Sequence, residues 1–201
     1  MKAFEGLMLN FNFKYLALCG IIAPLIAYTF IALAIMQMPQ FSWTQNALSD
    51  LGVWKNSALT FNLGLMLAAL IQITFAASLC RYFNKPLGRI GVIIYLISSI
   101  ALLLIGVYPE SAGRIHFYVA LSFFTLAPIY LIFLAASLIK ECGEFSFGII
   151  TIFLAILAIL PWLLYLQVLN VSGVAIPELL STIPASIWNI TTAIKLYRKA
   201  S

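Results

Sequence analysis

The side chains that could do chemistry in this sequence are concentrated in three short stretches, and the first is NALSDLG, residues 46–52. If this stretch is helical, Asn46, Ser49 and Asp50 share one face, because residues three and four apart are neighbours on a helix. Gly52 would then end the helix in the left-handed conformation that glycine allows. The alternative is an ordinary capped turn, in which Ser49 or Asp50 bonds nearby backbone amides.

The second stretch is GVYPESAGRIHF, residues 106–117. It places Glu110 four residues before Arg114 and holds His116, the only histidine of the chain. Histidine is the side chain best suited to exchange protons near neutral pH, so His116 is a candidate general base. The competing interpretation is a hydrogen-bonded structural histidine at the membrane interface, and the sequence leaves both open.

The third stretch is GVAIPELL, residues 173–180, in which Glu178 follows Pro177 within an apolar segment. A carboxylate in such a segment is costly, so it normally faces the protein interior and finds a partner there. A stripe of small and polar residues continues along the same helical face: Thr182, Ala185, Asn189 and Thr192. Helix–helix packing favours such a stripe, but packing does not explain a glutamate.

The composition decides which kind of protein carries these stretches. Of the 201 residues, 64% are hydrophobic and 8% are charged, whereas about a quarter of the residues of a soluble domain are charged. This excludes a soluble globular protein, a nucleic-acid-binding protein and a disordered chain. A membrane barrel alternates apolar and polar residues over segments of about ten, but here the apolar runs are continuous. The sequence therefore predicts an all-α polytopic membrane protein, with one transmembrane domain over residues 1–201.

Six spans are expected, since each needs about 20 apolar residues. They lie at about 15–36, 57–79, 90–108, 115–139, 147–169 and 174–197. If the N-terminus is inside, the cytoplasmic segments hold nine basic residues: Lys2, Lys14, Arg81, Lys85, Arg89, Lys140, Lys195, Arg198 and Lys199. The outer segments hold only Lys55 and Arg114. This imbalance predicts a multi-pass protein of the cell membrane with both termini cytoplasmic and all three polar stretches outside.

Several kinds of site are not expected. The chain has no GxSxG, no HExxH and no phosphate-binding glycine loop. A zinc site would want further His or Cys ligands near His116. The cysteines, Cys19, Cys80 and Cys142, form no CxxC pair and fall on the inner side, where thiols stay reduced. We therefore predict no metal, no cofactor and no disulfide.

The three stretches together resemble the domain-of-unknown-function 998 family of six-helix prokaryotic membrane proteins, over nearly the whole chain. The resemblance rests on NALSDLG, on GVYPE followed by RIHF, and on GVAIPELL. It implies a six-helix fold and no particular reaction. SDLG is also distantly similar to the first-loop motif of the Frag/DRAM/Sfk group, which is associated with lipid-anchor remodelling and lipid organisation. A weaker analogy reaches the ceramidase-like zinc hydrolases, whose three histidine ligands are reduced here to His116.

Three functions are compatible with these features. In the first, the outer side holds a lipid-binding pocket, and Arg114 pairs with a phosphate or carboxylate head group. The residues that would line it are Asn46, Ser49, Asp50, Glu110, Arg114, His116 and Glu178. In the second, the same place is a metal-independent hydrolase, with His116 as base, Asp50 or Glu178 orienting it, and Ser49 or water attacking an ester.

In the third, the chain is a scaffold or accessory subunit, and its polar cluster only locks helix ends together. The partners that these hypotheses imply are membrane lipids, a second copy of the chain or a membrane complex, and no nucleic acid. We predict that Asp50, His116 and Glu178 converge at the outer mouth of the bundle, with an open cavity there if one of the first two functions is right and a sealed core if the third is.

Overall fold

The computed structural model describes residues 13–167 and 172–199, and within them the chain forms six long α-helices. These are α1 (Phe13–Met36), α2 (Ala58–Tyr82), α3 (Pro86–Val107), α4 (Arg114–Lys140), α5 (Phe145–Gln167) and α6 (Ala175–Lys199). Two short 3₁₀ turns lie in the connections: the first-loop turn (Leu48–Gly52) and the third-loop turn (Glu110–Ala112). Lys2 and the last residues of the fifth predicted span, 168–169, lie outside the described residues.

The helical membrane bundle predicted from composition is confirmed. Within the described ranges, α1 to α5 are long and apolar enough to cross a membrane. The last helix is not among them, although a span was predicted there. It carries Glu178 near its start, basic residues at its end and a polar face between them. Ser181, Asn189 and Thr192 on that face are buried, so the polar residues that lower the hydropathy of α6 are turned into the protein.

The helices close into a ring. Each helix packs against the next one along the chain, and α6 returns to pack against α1. Trp188 of α6 lies at the centre with no exposed surface, among the rings of Phe83, Tyr95 and Tyr130. Its indole Nε1 donates a hydrogen bond of 3.2 Å to Thr151 Oγ1 on α5. The aromatic centre thus joins helices on opposite sides of the ring.

Two ends of the bundle can be distinguished by their charges. The basic end holds the α2–α3 and α4–α5 connections, where Glu144 forms ion pairs with Lys195 and Lys199. The acidic end holds the first-loop turn, the third-loop turn and the start of α6. Among the described basic residues, only Lys55 and Arg114 belong to the acidic end.

Glu141 joins the two connections at the basic end. Its carboxylate accepts hydrogen bonds from the amides of Leu87 and Gly88, at 3.0 and 3.1 Å, and from the hydroxyl of Ser137. Desolvation acts to raise the pKa of Glu141, but these hydrogen bonds and the charge of Lys85 outweigh it and lower that pKa. The Glu141 carboxylate therefore has a structural role, which is to hold the two connections together.

Gly52 does not adopt the left-handed conformation that was predicted for it. Among the described residues, positive φ occurs only at Gly113 and Gly143. The side chain of Asn62 on α2 lies close to Gly52: a Cβ at this position would lie 2.6 Å from Asn62 Oδ1, which would have to move. The amide of Asn62 also donates to the Gly52 carbonyl at 2.9 Å, which fixes the first-loop turn on α2.

Candidate functional site

The first-loop turn is held against α6 by side-chain and backbone hydrogen bonds. The Leu48 amide donates to Glu178 Oε2 at 2.6 Å. Next to this contact, the Gly173 amide donates to the Thr44 carbonyl and the Ala175 amide to the Asn46 carbonyl, both at 3.0 Å. The buried carboxylate of Glu178 therefore binds a backbone amide of a loop that is distant in sequence. A carboxylate that is shielded from water needs such a partner.

Asn46 and Asp50 stabilise the first loop itself. Asp50 Oδ2 accepts from Asn46 Nδ2 at 2.8 Å and from the Ala47 amide at 3.0 Å. Asn46 Oδ1 accepts from the Ser42 amide. The capped-turn interpretation is thus the better description of these two residues. The predicted helix over residues 46–52 is a 3₁₀ turn that begins only at Leu48.

Ser49 and Glu110 connect the first loop to the third. Ser49 Oγ donates to Glu110 Oε2 at 3.1 Å, and Ser49 is buried while Glu110 is exposed at the rim. Desolvation raises the pKa of Glu110, and the neighbouring Asp50 carboxylate raises it further. The carboxylates of the acidic end are therefore close enough to repel one another.

His116 lies in the first turn of α4 and is buried. Its Nδ1 lies 2.8 Å from the Tyr108 carbonyl oxygen. Because a carbonyl can only accept, the proton must be on Nδ1, and in the neutral imidazole Nε2 is then a hydrogen-bond acceptor. Within the described part of the chain, Nε2 has no hydrogen-bond partner.

The structure does not bring Arg114 into this group. It is the first residue of α4, directly after Gly113 with φ of 62°, and its side chain is exposed. It forms no ion pair with Glu110 or any other described carboxylate, although the two residues are four apart. The interpretation of Arg114 as the residue that binds a head group has no contact to support it.

Five of the candidate residues form what we call the acidic cluster: Ser49, Asp50, Glu110, His116 and Glu178. They come from three separate segments of the chain. Four of them, all except Asp50, line one cavity. Asp50 does not line the cavity, but its negative charge is close enough to repel the carboxylates of Glu110 and Glu178.

That cavity, which we call the groove, has a volume of about 830 Å³ and lies between α4 and α5. Below the acidic cluster its walls are largely apolar and include Phe117, Leu121, Phe124, Ala158, Trp162 and Leu166. Phe117, Leu121 and Leu166 are exposed on the outside of the ring, so the groove opens sideways. From His116 to Ile129 it follows α4 for about 20 Å, at about 1.5 Å of rise per residue.

A second, smaller cavity of about 100 Å³ lies inside the ring of helices. It shares Ser49, Ala120, His116, Phe124 and Glu178 with the groove, so these side chains lie between the two spaces. Deeper in this cavity, Asn189 Oδ1 is buried without a hydrogen-bond partner among the described residues. The other residues that line this cavity are mainly apolar, so it is an apolar space with a few polar side chains.

A model of a protein family, described as "Protein of unknown function (DUF998)", matches residues 21–195. The chain belongs to this family. The matched range contains the whole acidic cluster and both walls of the groove, and it confirms the family resemblance of the three polar stretches. No curated protein and no solved structure matches the chain. The comparisons do not show the more distant similarity to the Frag/DRAM/Sfk group.

The sequence did not predict the groove or two of the groups that position the acidic cluster. The partner of Glu178 is the backbone amide of Leu48, and the partner of His116 is the backbone carbonyl of Tyr108. Backbone groups leave no signal in residue types. On the α5 wall of the groove, the sequence offers one weak indication of a cavity, which is the small residue Ala158 among larger apolar residues.

Proposed function

We propose that this DUF998 protein binds a lipid or another single-headed amphiphile. The polar head would lie at the acidic cluster and the apolar chain in the groove. The observation that supports this most directly is that four polar residues and a long apolar wall line the same cavity. The shape and chemistry of that cavity match a molecule with one polar end.

The dimensions of the groove agree with this proposal. Its volume falls within the range of about 300–1,000 Å³ that is typical of small-molecule sites. Its length of about 20 Å exceeds half of the hydrocarbon core, which is about 30 Å thick. A side opening lets a lipid enter from one leaflet without passing through water.

A groove-filling substitution tests the proposal. Thr125 is exposed and lines the groove, so Thr125→Trp should fill it without disturbing the core. We expect binding of added phospholipid, followed by native mass spectrometry, to weaken roughly tenfold, which corresponds to about 1.4 kcal/mol. Ile132→Trp is the matched control, because Ile132 is 50% exposed on the same helix but does not line the groove. Equal binding by both variants would contradict the proposal.

Hydrolysis of the bound amphiphile is a second candidate, favoured by the position of His116 between the two cavities. Its Nε2 could take a proton from a water molecule at the acidic cluster while that water attacks an ester of a lipid bound in the groove. Tyr108, not Asp50 or Glu178, would orient the imidazole. Ser49 donates its hydroxyl to Glu110 and not to His116, so His116 would act on water and not on Ser49. The same mass spectra decide this point, because hydrolysis would convert the bound lipid into lyso-lipid and fatty acid.

We further propose that the acidic end faces outward and that both termini are cytoplasmic. Among the described residues, eight basic side chains belong to the other end: Lys14, Arg81, Lys85, Arg89, Lys140, Lys195, Arg198 and Lys199. Against these, the acidic end has Lys55 and Arg114. Such an asymmetry is typical of cytoplasmic loops.

Cysteine labelling in whole cells tests this orientation. In a background without native cysteines, Asn84→Cys and Asn56→Cys place one thiol at an exposed position on each end. An impermeant maleimide should label position 56 in intact cells and position 84 only after the membrane is permeabilised. The reverse pattern would show that the bundle is inverted.

A further inference from the structure

We infer that the head group bound at the acidic cluster carries a positively charged amine. This inference rests on the proposed amphiphile site and names the chemistry of its head group. It follows from three observations: no lysine or arginine pairs with the carboxylates of the cluster among the described residues, two largely buried side chains of the cluster keep an acceptor atom accessible, and the basic end is built differently.

The carboxylates of the acidic cluster receive hydrogen bonds only from neutral donors. Glu178 accepts from the Leu48 amide and Glu110 from the Ser49 hydroxyl. Asp50 accepts from an amide side chain and a backbone amide. In the described ranges, no Lys or Arg forms an ion pair with any of the three.

The basic end of the same bundle is built differently. There Glu144 is paired with two lysines, Lys195 and Lys199. The fold therefore pairs a carboxylate with lysines at one end, and among the described residues it pairs none of the three carboxylates at the other end with a lysine or arginine. Because like charges held close together are unfavourable, a bound cation would stabilise the acidic cluster.

Two largely buried side chains that line the groove also keep an acceptor atom without a hydrogen-bond partner in the described residues. Glu178 is 8% exposed, and its Oε1 has no such partner. His116 is also 8% exposed, and in the neutral imidazole its Nε2 is an acceptor. Neither atom is among the fully enclosed atoms without a partner, so a bound donor can reach both.

A primary ammonium group matches this arrangement, since it carries one positive charge and three N–H donors. A head group that presents only a phosphate or a carboxylate would bring a further negative charge and no donor. The described residues contain no group of three or more His, Cys, Asp or Glu placed to hold a metal ion. The side chains of the cluster are therefore not gathered closely enough to coordinate a metal ion, whereas an ammonium group needs only one or two of them as acceptors.

Binding by lipids of equal chains and different heads tests this inference. Dioleoyl phosphatidylethanolamine and dioleoyl phosphatidylglycerol are titrated into the purified full-length protein and quantified by native mass spectrometry. Dodecylamine and dodecanol provide a second pair without phosphate, and ethanolamine alone represents a soluble amine. We expect each amine lipid to bind roughly tenfold more tightly than its partner, a difference of about 1.4 kcal/mol.

Glu178→Gln and Glu110→Gln should each reduce this preference without preventing lipid binding. Glu110 is exposed at the rim, so its variant folds even if the Glu178 variant does not. Glu144→Gln, which neutralises a carboxylate at the basic end, should retain the preference. A preference that survives both Glu178→Gln and Glu110→Gln would overturn the inference.

The possible failures are distinguishable. Equal binding of amine and neutral or anionic heads overturns the amine inference and leaves the amphiphile site standing. Failure of every lipid to bind, or binding that Thr125→Trp does not affect, overturns the proposed function itself. Competition by ethanolamine as effective as that of the whole lipid would show that the amine comes from a soluble compound and that the groove is not used.

Discussion

Trp188→Ala is expected to lower the free energy of unfolding by about 3–5 kcal/mol, the cost usual for removing a large buried aromatic side chain. Trp188 has no exposed surface and is the largest fully buried side chain of the described chain. The neighbouring rings of Phe83, Tyr95 and Tyr130 have centroids 6.3–6.5 Å from its own. They belong to other segments of the ring, so they cannot all collapse into the space that the indole leaves.

The substitution also removes a hydrogen bond between helices. Trp188 Nε1 donates to Thr151 Oγ1, while the Thr151 hydroxyl donates to the Phe147 carbonyl of its own helix. After the change Thr151 keeps the bond within α5 and loses the one to α6. The cavity accounts for most of the expected loss, because a single neutral hydrogen bond contributes only about 1 kcal/mol.

Reversible unfolding by sodium dodecyl sulfate in mixed micelles measures this loss. Trp43→Ala is the control, since Trp43 is 39% exposed in the first connection and its removal leaves no central cavity. Trp188→Phe should lie between the control and Trp188→Ala. A loss for Trp188→Ala no larger than that of the control would contradict the central role of the aromatic group.

Hydropathy predicted where the helices lie along the chain, and the polar stripe on α6 predicted which face of that helix is buried. Asn189 and Thr192 are buried as the stripe predicts. The role of Trp188, one position from Asn189, could not be predicted in the same way. Tryptophan in a membrane helix is common at the lipid–water interface, and residue type alone does not separate that position from the interior.

For the acidic residues, the sequence predicted some of the observed contacts and not others. Glu178 was expected to face inward because exposure to lipid is costly, and it does. Glu141 and Glu144 lie in a connection, where residue type indicates only a solvated loop, but both are bonded to other segments of the chain. Contacts between loops depend on the packing of the helices that carry them.

Glu178→Ala is expected to destabilise the protein by about 1–3 kcal/mol, because it leaves the buried Leu48 amide without an acceptor. Leu48 is 7% exposed, so water does not readily replace the carboxylate. The same change frees the first-loop turn from α6 at its shortest side-chain contact. Mixed-micelle unfolding with no lipid added should show this loss.

Glu178→Gln separates the structural role of this side chain from its charge. The glutamine carbonyl oxygen can still accept from the Leu48 amide, so the fold is expected to keep most of its stability. Removing the charge also ends the repulsion of Glu178 by Glu110 and Asp50, which favours the glutamine variant when no ligand is bound. Equal destabilisation by alanine and glutamine would mean that the charge, and not the hydrogen bond, holds the first-loop turn. A stable glutamine variant that no longer prefers amine lipids would instead assign the bond to the fold and the charge to the ligand.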